Sequence, residues 1–323
     1  MLDNSEQKIK SLNIIVTGGA GFLGTHLCRA LKRVGHQIKI IDLKQNPEFR
    51  TVIADVRDQK RMLKEIKNAD LVFHLASLIE AGESVEKPQK YIDFNLNGSV
   101  SVLEAMRINQ IKTFIFSSSA AIYGEPLKIP IQEDDRTIPI NPYGMTKLAM
   151  EGLLSSYVAA HSFTGIALRY FNLYGPEEHH QPETHAIPRF IKQIYEGSEV
   201  TVWGDGGYQR DFIYIDDIVE AHLKAIDLSL KEPQKYHYLN LSTEKPASVI
   251  EIIHLIEKIM DKKANIKHFP DRPGDPRVLV ADASKARKVL NWQAKIDLET
   301  GLTKTVDYFK AFWSKQNKQN QYA

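Results

Sequence analysis

The chain of 323 residues holds one cysteine, Cys28, so it cannot close an internal disulfide. Cys28 falls within an apolar helical pattern and reads as a small buried hydrophobe. No apolar run reaches the roughly 20 residues that a membrane-spanning helix needs. The polar N-terminus, Met1-Leu2-Asp3-Asn4-Ser5-Glu6, carries no signal-peptide core. An excess of one charge is also missing. The 42 Lys and Arg against 40 Asp and Glu leave a formal net charge of +2, which predicts no attraction to nucleic acid or membrane. No internal repeat is visible. These absences lead us to expect a soluble protein of a reducing compartment, most simply the cytoplasm. What is present is ordinary globular composition, 43% hydrophobic and 25% charged. At this length it can bury the core of one large α/β domain or of two smaller ones.

The first informative stretch is Leu12-Asn13-Ile14-Ile15-Val16, which reads as a buried strand. It runs into Thr17-Gly18-Gly19-Ala20-Gly21-Phe22-Leu23-Gly24, where a helical pattern begins at once. Gly35 closes that helix, and Gln37 to Asp42 reads as the next strand. Strand, glycine turn, helix, strand and then an acid is the context a dinucleotide site requires. Gly18, Gly21 and Gly24 let the backbone turn tightly and approach a pyrophosphate. The helix N-terminus offers free N–H groups and a positive dipole end. Asp42 can accept hydrogen bonds from both ribose hydroxyls and would repel a 2′-phosphate, so NAD is favoured over NADP. Val52 to Asp55 reads as a short third strand, with Asp55 either meeting the adenine edge or capping the following helix. Asp70 to Ala76 reads as a fourth strand ending in the small residues Ala76 and Ser77. Its His74 reads as a packed, hydrogen-bonded histidine rather than a ligand. Pro88 opens a long helical pattern in which Asn95 can tie an adjacent backbone.

Ile111 to Phe116 reads as a fifth, buried parallel strand. It delivers Ser117-Ser118-Ser119 to the carboxyl edge of the sheet, where open α/β sheets bind ligands. The segment from Gly124 to Pro142, rich in proline and acids, reads as a surface loop. Tyr143 then starts a helix, and Lys147 follows four residues on, a turn away on the same face. An ammonium beside a phenol favours the phenolate and lowers the tyrosine pKa. A phenol able to lose its proton near neutrality is a general base. Gly165 to Arg169 reads as a sixth strand. Strands alternating with helices to this point predict a doubly wound parallel sheet of Rossmann type. We expect it over residues 1–175, completed by parts of 209–245, with a smaller C-terminal α/β substrate domain over 176–323.

The second half supplies no nucleophile–base pair of its own. It offers Arg210 and Arg272 in turns, and guanidinium groups clamp phosphate oxygens bidentately. The competing reading pairs these arginines with Asp211 and Asp275. Trp203 could pack on a nucleobase, and Asp275 could accept from a ribose hydroxyl. Glu178 to His185 holds three histidines and two acids, but no ligand spacing lies on one regular element. It reads as a loop, and no metal is expected. Ser248 is placed to cap the helix that runs to Met260.

The ordered set Thr17–Gly24, Ser117–Gly124, Tyr143–Lys147, Arg169–Asn172, Arg210-Asp211-Phe212 and Arg272–Asp275, with the loop Ala81–Pro88, resembles the extended short-chain dehydrogenase/reductase superfamily. Within it, the chain is similar to NAD-dependent nucleotide-sugar 4-epimerases of the UDP-galactose (UDP-glucose) type, from about Asn13 to Phe312. The resemblance implies that Ser119, Tyr143 and Lys147 are catalytic. It implies that Gly18, Gly21, Phe22, Leu23, Gly24, Asp42, Asp55, Val56, Leu75, Ala76, Ser77, Asn95, Ser117, Tyr143, Lys147 and Tyr170 hold NAD. It implies that Ser119, Tyr143, Asn172, His185, Thr201, Trp203, Arg210, Arg272 and Asp275 meet a UDP-linked sugar, and that the protein is a homodimer pairing through Pro88–Ile108 and Tyr143–His161. The implied reaction passes through a 4-keto sugar that turns over within the site. Ile79 stands where some epimerases have lysine, and His185 where asparagine is common. Leu279 falls near the position that limits room for a 2-N-acetyl group. Dehydratases of the superfamily carry an acid just after the catalytic Ser/Thr, where this chain has Ala120 and Ala121. A dehydrogenase, reductase or decarboxylase of the same superfamily, and a non-catalytic NAD-binding scaffold, are the competing readings.

Overall fold

The computed structural model describes residues 11–179, 185–271 and 276–321. The chain begins with β1 (Asn13–Thr17), α1 (Phe22–Arg33), β2 (Gln37–Asp42), β3 (Thr51–Ile53), α2 (Gln59–Glu65) and β4 (Leu71–His74). Then come α3 (Ala81–Glu86), α4 (Pro88–Tyr91), a π-helical segment (Ile92–Asn97), α5 (Gly98–Ile108), β5 (Thr113–Ser119), α6 (Pro142–His161) and β6 (Thr164–Tyr170). The remaining elements are β7 (Asn172–Tyr174), α7 (Ala186–Glu196), β8 (Glu199–Trp203), β9 (Gln209–Arg210), β10 (Phe212–Tyr214), α8 (Ile215–Lys231) and β11 (Tyr236–Leu241). The chain ends with β12 (Ala247–Ser248), α9 (Val249–Met260), β13 (Asn265–Phe269), β14 (Val278–Leu279), α10 (Ser284–Leu290) and α11 (Leu298–Gln321).

Seven strands form the central sheet in the order β11-β6-β5-β4-β1-β2-β3, and every pairing is parallel. A sheet covered on both faces needs strands apolar on both, and all four residues of β4 are buried. Helices α1 and α8 pack on one face, and α2, α5 and α6 on the other. The chain lays β1, β2 and β3 in one direction, then returns to place β4, β5, β6 and β11 on the opposite side of β1. That reversal opens a crevice at the carboxyl ends of β1 and β4, the topological switch point of such sheets. Smaller sheets sit beyond this edge: β7 with β10, β8 with β13, and β9 between β12 and β14.

Several local expectations meet the structure. Cys28 is fully buried. Ser248 caps α9 in a reciprocal box, its hydroxyl accepting from Glu251 N while Ser248 N donates to the Glu251 carboxylate. Others are corrected. The cap of α2 is Asp58, which accepts from Arg61 N at 3.0 Å; Asp55 instead pairs with Arg57 at 2.7 Å. The helix opened by Pro88 is broken into a π-helical turn, which the 3.6-residue pattern does not reveal. The proline-rich segment 124–142 is not wholly a surface loop. Ile131 and Glu133 are buried, because Ile131 exchanges backbone hydrogen bonds with Val280 and Asp282, 2.9 Å each.

Candidate active site

The glycine turn packs without clearance. A Cβ on Gly24 would lie 2.2 Å from Gly18 O, and one on Gly18, whose φ is +73°, would lie 2.6 Å from Ala76 N. Both glycines are required by backbone approach. Gly21 caps α1 with extended backbone and no side chain; its own N–H donates to Gly18 O at 3.1 Å, and Phe22 and Leu23 carry the first N–H groups that have no partner within the helix. Asp42, at the end of β2, accepts from Ala20 N at 2.9 Å and Lys44 N at 3.1 Å. Its carboxylate keeps lone pairs able to accept further hydrogen bonds. Val56 lies under Gly98, where a Cβ would meet it at 2.8 Å. Leu75 N and Ala76 N are held by Thr17 at 3.1 and 3.4 Å. The Ser77 hydroxyl donates to Leu78 O at 3.0 Å. Asn95, in the π-helical turn, accepts from Leu78 N at 2.8 Å and donates to Leu78 O at 3.0 Å, the backbone tie that its position suggests. His74 lies between Thr17 Oγ1 and Ser99 Oγ, 2.8 Å from each, the hydrogen-bonded core histidine of the sequence reading. Burial carries its pKa down to about 3, with Lys147 adding to the effect.

Ser119, Tyr143 and Lys147 are brought together by the start of α6. Asn141 caps that helix, accepting from Gly144 N at 2.8 Å. Gly144 lets the helix close onto the turn after Ser119, since a Cβ there would stand 2.4 Å from Ala121 O. Tyr143 N donates to the Ser84 hydroxyl oxygen at 3.1 Å. The Lys147 ammonium lies 5.7 Å from the centre of the Tyr143 ring and 5.0 Å from that of Phe116. It donates to Ser117 O at 2.8 Å. The Ser117 hydroxyl is buried and makes no well-formed hydrogen bond among the described residues, although the Tyr170 phenol approaches it; a bound cofactor can satisfy it. Tyr170 ends β6 opposite Ser119, and its phenol is pushed up by burial.

One electrostatic expectation is corrected. Burial holds the Tyr143 phenol above its ordinary value, a hydrogen bond with Ser119 works against this, and the Glu80 carboxylate adds to it. Lys147 is itself drawn down to about 7 by burial, with Glu151 opposing. The dry pocket penalises both charged forms, so the neighbouring ammonium does not by itself deliver a phenolate.

On the far wall, Asn172 begins β7, and its N–H donates to Asp211 O at 2.9 Å. Thr201 and Trp203 lie on β8, with the Trp203 ring 5.5 Å from Phe269. Arg210 lies on β9 beside Leu279 and donates to Gln209 O at 2.8 Å. The alternative pairing with Asp211 is not formed: the Asp211 carboxylate is buried and accepts from Ser242, Thr243 and Glu244 N. His185 sits between Glu178 at 2.5 Å and Glu80 at 3.7 Å. Burial disfavours its imidazolium, yet Glu178 and then Glu80 outweigh that and hold its pKa up. Arg272 and Asp275 lie outside the described residues, as does most of the histidine-rich loop. Among the described residues no three His, Cys, Asp or Glu side chains are grouped to hold a metal ion, and no helix is long and apolar enough to cross a membrane. Sequence reasoning named Glu178 only within the histidine-rich loop, and missed Glu80 and Glu151. Only Glu151 carried a local signal, four residues beyond Lys147.

A parallel sheet with a glycine turn at its switch point, and a Ser–Tyr–Lys group at the same edge, is the arrangement of a dinucleotide-binding α/β protein. The model of the NAD dependent epimerase/dehydratase family matches residues 14–239, and the chain belongs to that family. It is 36% identical to a UDP-glucose 4-epimerase of Lactobacillus helveticus over 88% of this chain and 92% of that one. It is also similar to the crystal structure of UDP-glucose 4-epimerase from Thermotoga maritima with UDP-glucose (TM-score 0.88, 32% identity, 94% of this chain and 100% of that one). A third relative is a UDP-glucose-4-epimerase of Stenotrophomonas maltophila with bound NAD and formylated UDP-arabinopyranose (TM-score 0.88, 33% identity, 94% of this chain and 99% of that one).

Proposed function

We propose that this protein is an NAD-dependent 4-epimerase of a nucleotide-diphosphate sugar, of the UDP-glucose/UDP-galactose or UDP-N-acetylhexosamine type. The observation that carries the reading is Tyr143, held between Ser119 and Lys147 at the end of β5, with Ala120 and Ala121 where elimination would need an acid. NAD, when bound, would supply the hydride acceptor and donor at the sugar C4. Gly18, Gly21, Phe22, Leu23 and Gly24 would hold its pyrophosphate, Asp42 its ribose, and Asp55 and Val56 its adenine. Leu75, Ala76, Ser77, Asn95, Ser117 and Tyr170 would close round the remainder. Tyr143 takes the proton from the sugar 4-hydroxyl, Ser119 hydrogen-bonds O4, and Lys147 supplies the positive charge that favours the phenolate. Asn172, His185, Thr201, Trp203, Arg210, Arg272 and Asp275 hold the nucleotide and diphosphate. The sugar itself is gripped by few groups, as a ring that must present both faces requires.

This division of labour assigns residues 1–175, with parts of 209–245, to the cofactor and 176–323 to the nucleotide sugar. We take the active species to be a cytoplasmic homodimer. Exposed Val85, Ile92 and Met145, on or beside the helices expected to pair, support that assembly. Conversion of UDP-glucose to UDP-galactose without added cofactor, followed by NMR, tests the reading. Tyr143→Phe should abolish turnover and leave NAD binding intact. A variant epimerising at near wild-type rate refutes the assignment.

A further inference from the structure

One buried acid is not used by this mechanism. Glu151 follows Lys147 by one helical turn on α6, and both side chains are buried. Arg169 of β6 clamps Glu151 in a fork, with Nη2 at 2.6 Å from Oε2 and Nε at 2.9 Å from Oε1. The Ser118 hydroxyl donates to Oε1, and the Tyr236 hydroxyl donates to Oε2 at 3.3 Å. Arg169 is fixed in turn by Tyr123 at 2.9 Å and Glu133 O at 2.8 Å. The carboxylate is therefore immobile, and the strand residue that orients it, Ser118, stands between Ser117, which accepts from Lys147, and Ser119.

We propose that Glu151, resting on the epimerase reading above, is a positioning residue whose fixed negative charge keeps the proton on Lys147 and so keeps Tyr143 competent as a base. Among the described residues Glu151 stands alone in this role. From its own helix Lys147 faces Tyr143 and Glu151. From β5 it faces the Phe116 ring and the Ser117 carbonyl. From β4 it faces His74, which burial keeps neutral. Arg169 reaches Lys147 only through Glu151, Tyr170 is a neutral phenol, and Glu80 acts on Tyr143. A lysine in so dry a pocket sheds its proton readily, and among the described residues the one charge opposing this is Glu151. Replacing that charge leaves Arg169 and Lys147 as two buried cations without an anion. Lys147 then deprotonates at lower pH, and the alkaline side of the activity profile moves down.

The test is kcat for UDP-glucose epimerisation from pH 5.5 to 9.5 in wild type, Glu151→Gln, Glu151→Asp and the paired Glu151→Met/Arg169→Met, the last removing both buried charges with apolar side chains in case the single variant fails to fold. The expected result is an alkaline limb lowered by about one pH unit or more in Glu151→Gln and in the paired variant. Activity at pH 8.5 then falls about tenfold further than at pH 6. Glu151→Asp, which retains the charge, restores the limb towards wild type. A loss that is uniform across pH, or a limb that stays in place in a folded variant, makes Glu151 merely structural and overturns the proposal. A wild-type protein that turns over no UDP-sugar refutes the epimerase reading itself and this inference with it.

Discussion

Gly24→Ala probes the dinucleotide turn directly. The added Cβ would stand 2.2 Å from Gly18 O and 2.6 Å from Gly19 Cα. Carbon and oxygen settle no closer than about 3.3 Å, so roughly 1 Å of clearance must be found. Neither obstructing atom belongs to a side chain that could swing away. The only relief is withdrawal of α1 from β1, and overpacking of this kind costs about 1–3 kcal/mol. The same movement pulls the first N–H groups of α1 off the pyrophosphate, where a hydrogen bond to a charged group is worth about 1.5–3 kcal/mol. At 1.4 kcal/mol per factor of ten, the NAD dissociation constant should rise about 10- to 100-fold. Titration calorimetry with NAD measures this, beside thermal unfolding of the apoprotein. Gly152→Ala is the matched control: Gly152 is exposed within α6, with nothing within 4 Å of its added Cβ. That change should stabilise by about 0.5–1 kcal/mol and leave NAD affinity unaltered. A Gly24→Ala protein that binds NAD like wild type would refute the reasoning.

Asp42→Ser removes the carboxylate that a 2′-phosphate would meet, so NAD affinity should fall and the preference over NADP should shrink about tenfold or more, read from the two dissociation constants. A pH effect follows from His74. Its folded pKa of about 3 lies far below the ordinary 6.5, so below pH 6.5 the unfolded chain takes up a proton that the folded chain refuses. The stability held by the neutral ring is complete above pH 6.5 and is lost as pH falls towards 3, at most about 1.4 kcal/mol per unit. Urea unfolding of wild type should therefore lose about 2–3 kcal/mol between pH 6.5 and 4.5 from this group. His74→Gln should show a shallower slope, and equal slopes would exclude His74 as the source.

Much of the fold is local chemistry written along the chain. Buried runs such as Leu71-Val72-Phe73, the glycines from Gly18 to Gly24 and the capping pair of Ser248 and Glu251 each specify an element through neighbours a few residues away. The four-residue step from Tyr143 to Lys147 is legible in the same way, because one helix sets both directions. Contacts between distant segments are not written there. Ser119 meets Tyr143 only because Gly144 seats on Ala121, and His185 finds Glu80 across more than 100 residues of chain. Burial is the least local quantity of all. The neutral-leaning Lys147, the raised Tyr143 phenol and the depressed His74 arise from atoms contributed by several elements at once. By itself the sequence determined which groups were available and on which strand or helix each would ride. Only the tertiary structure decided which charges lost their water, because desolvation depends on everything packed around a group and not on what lies beside it in the chain.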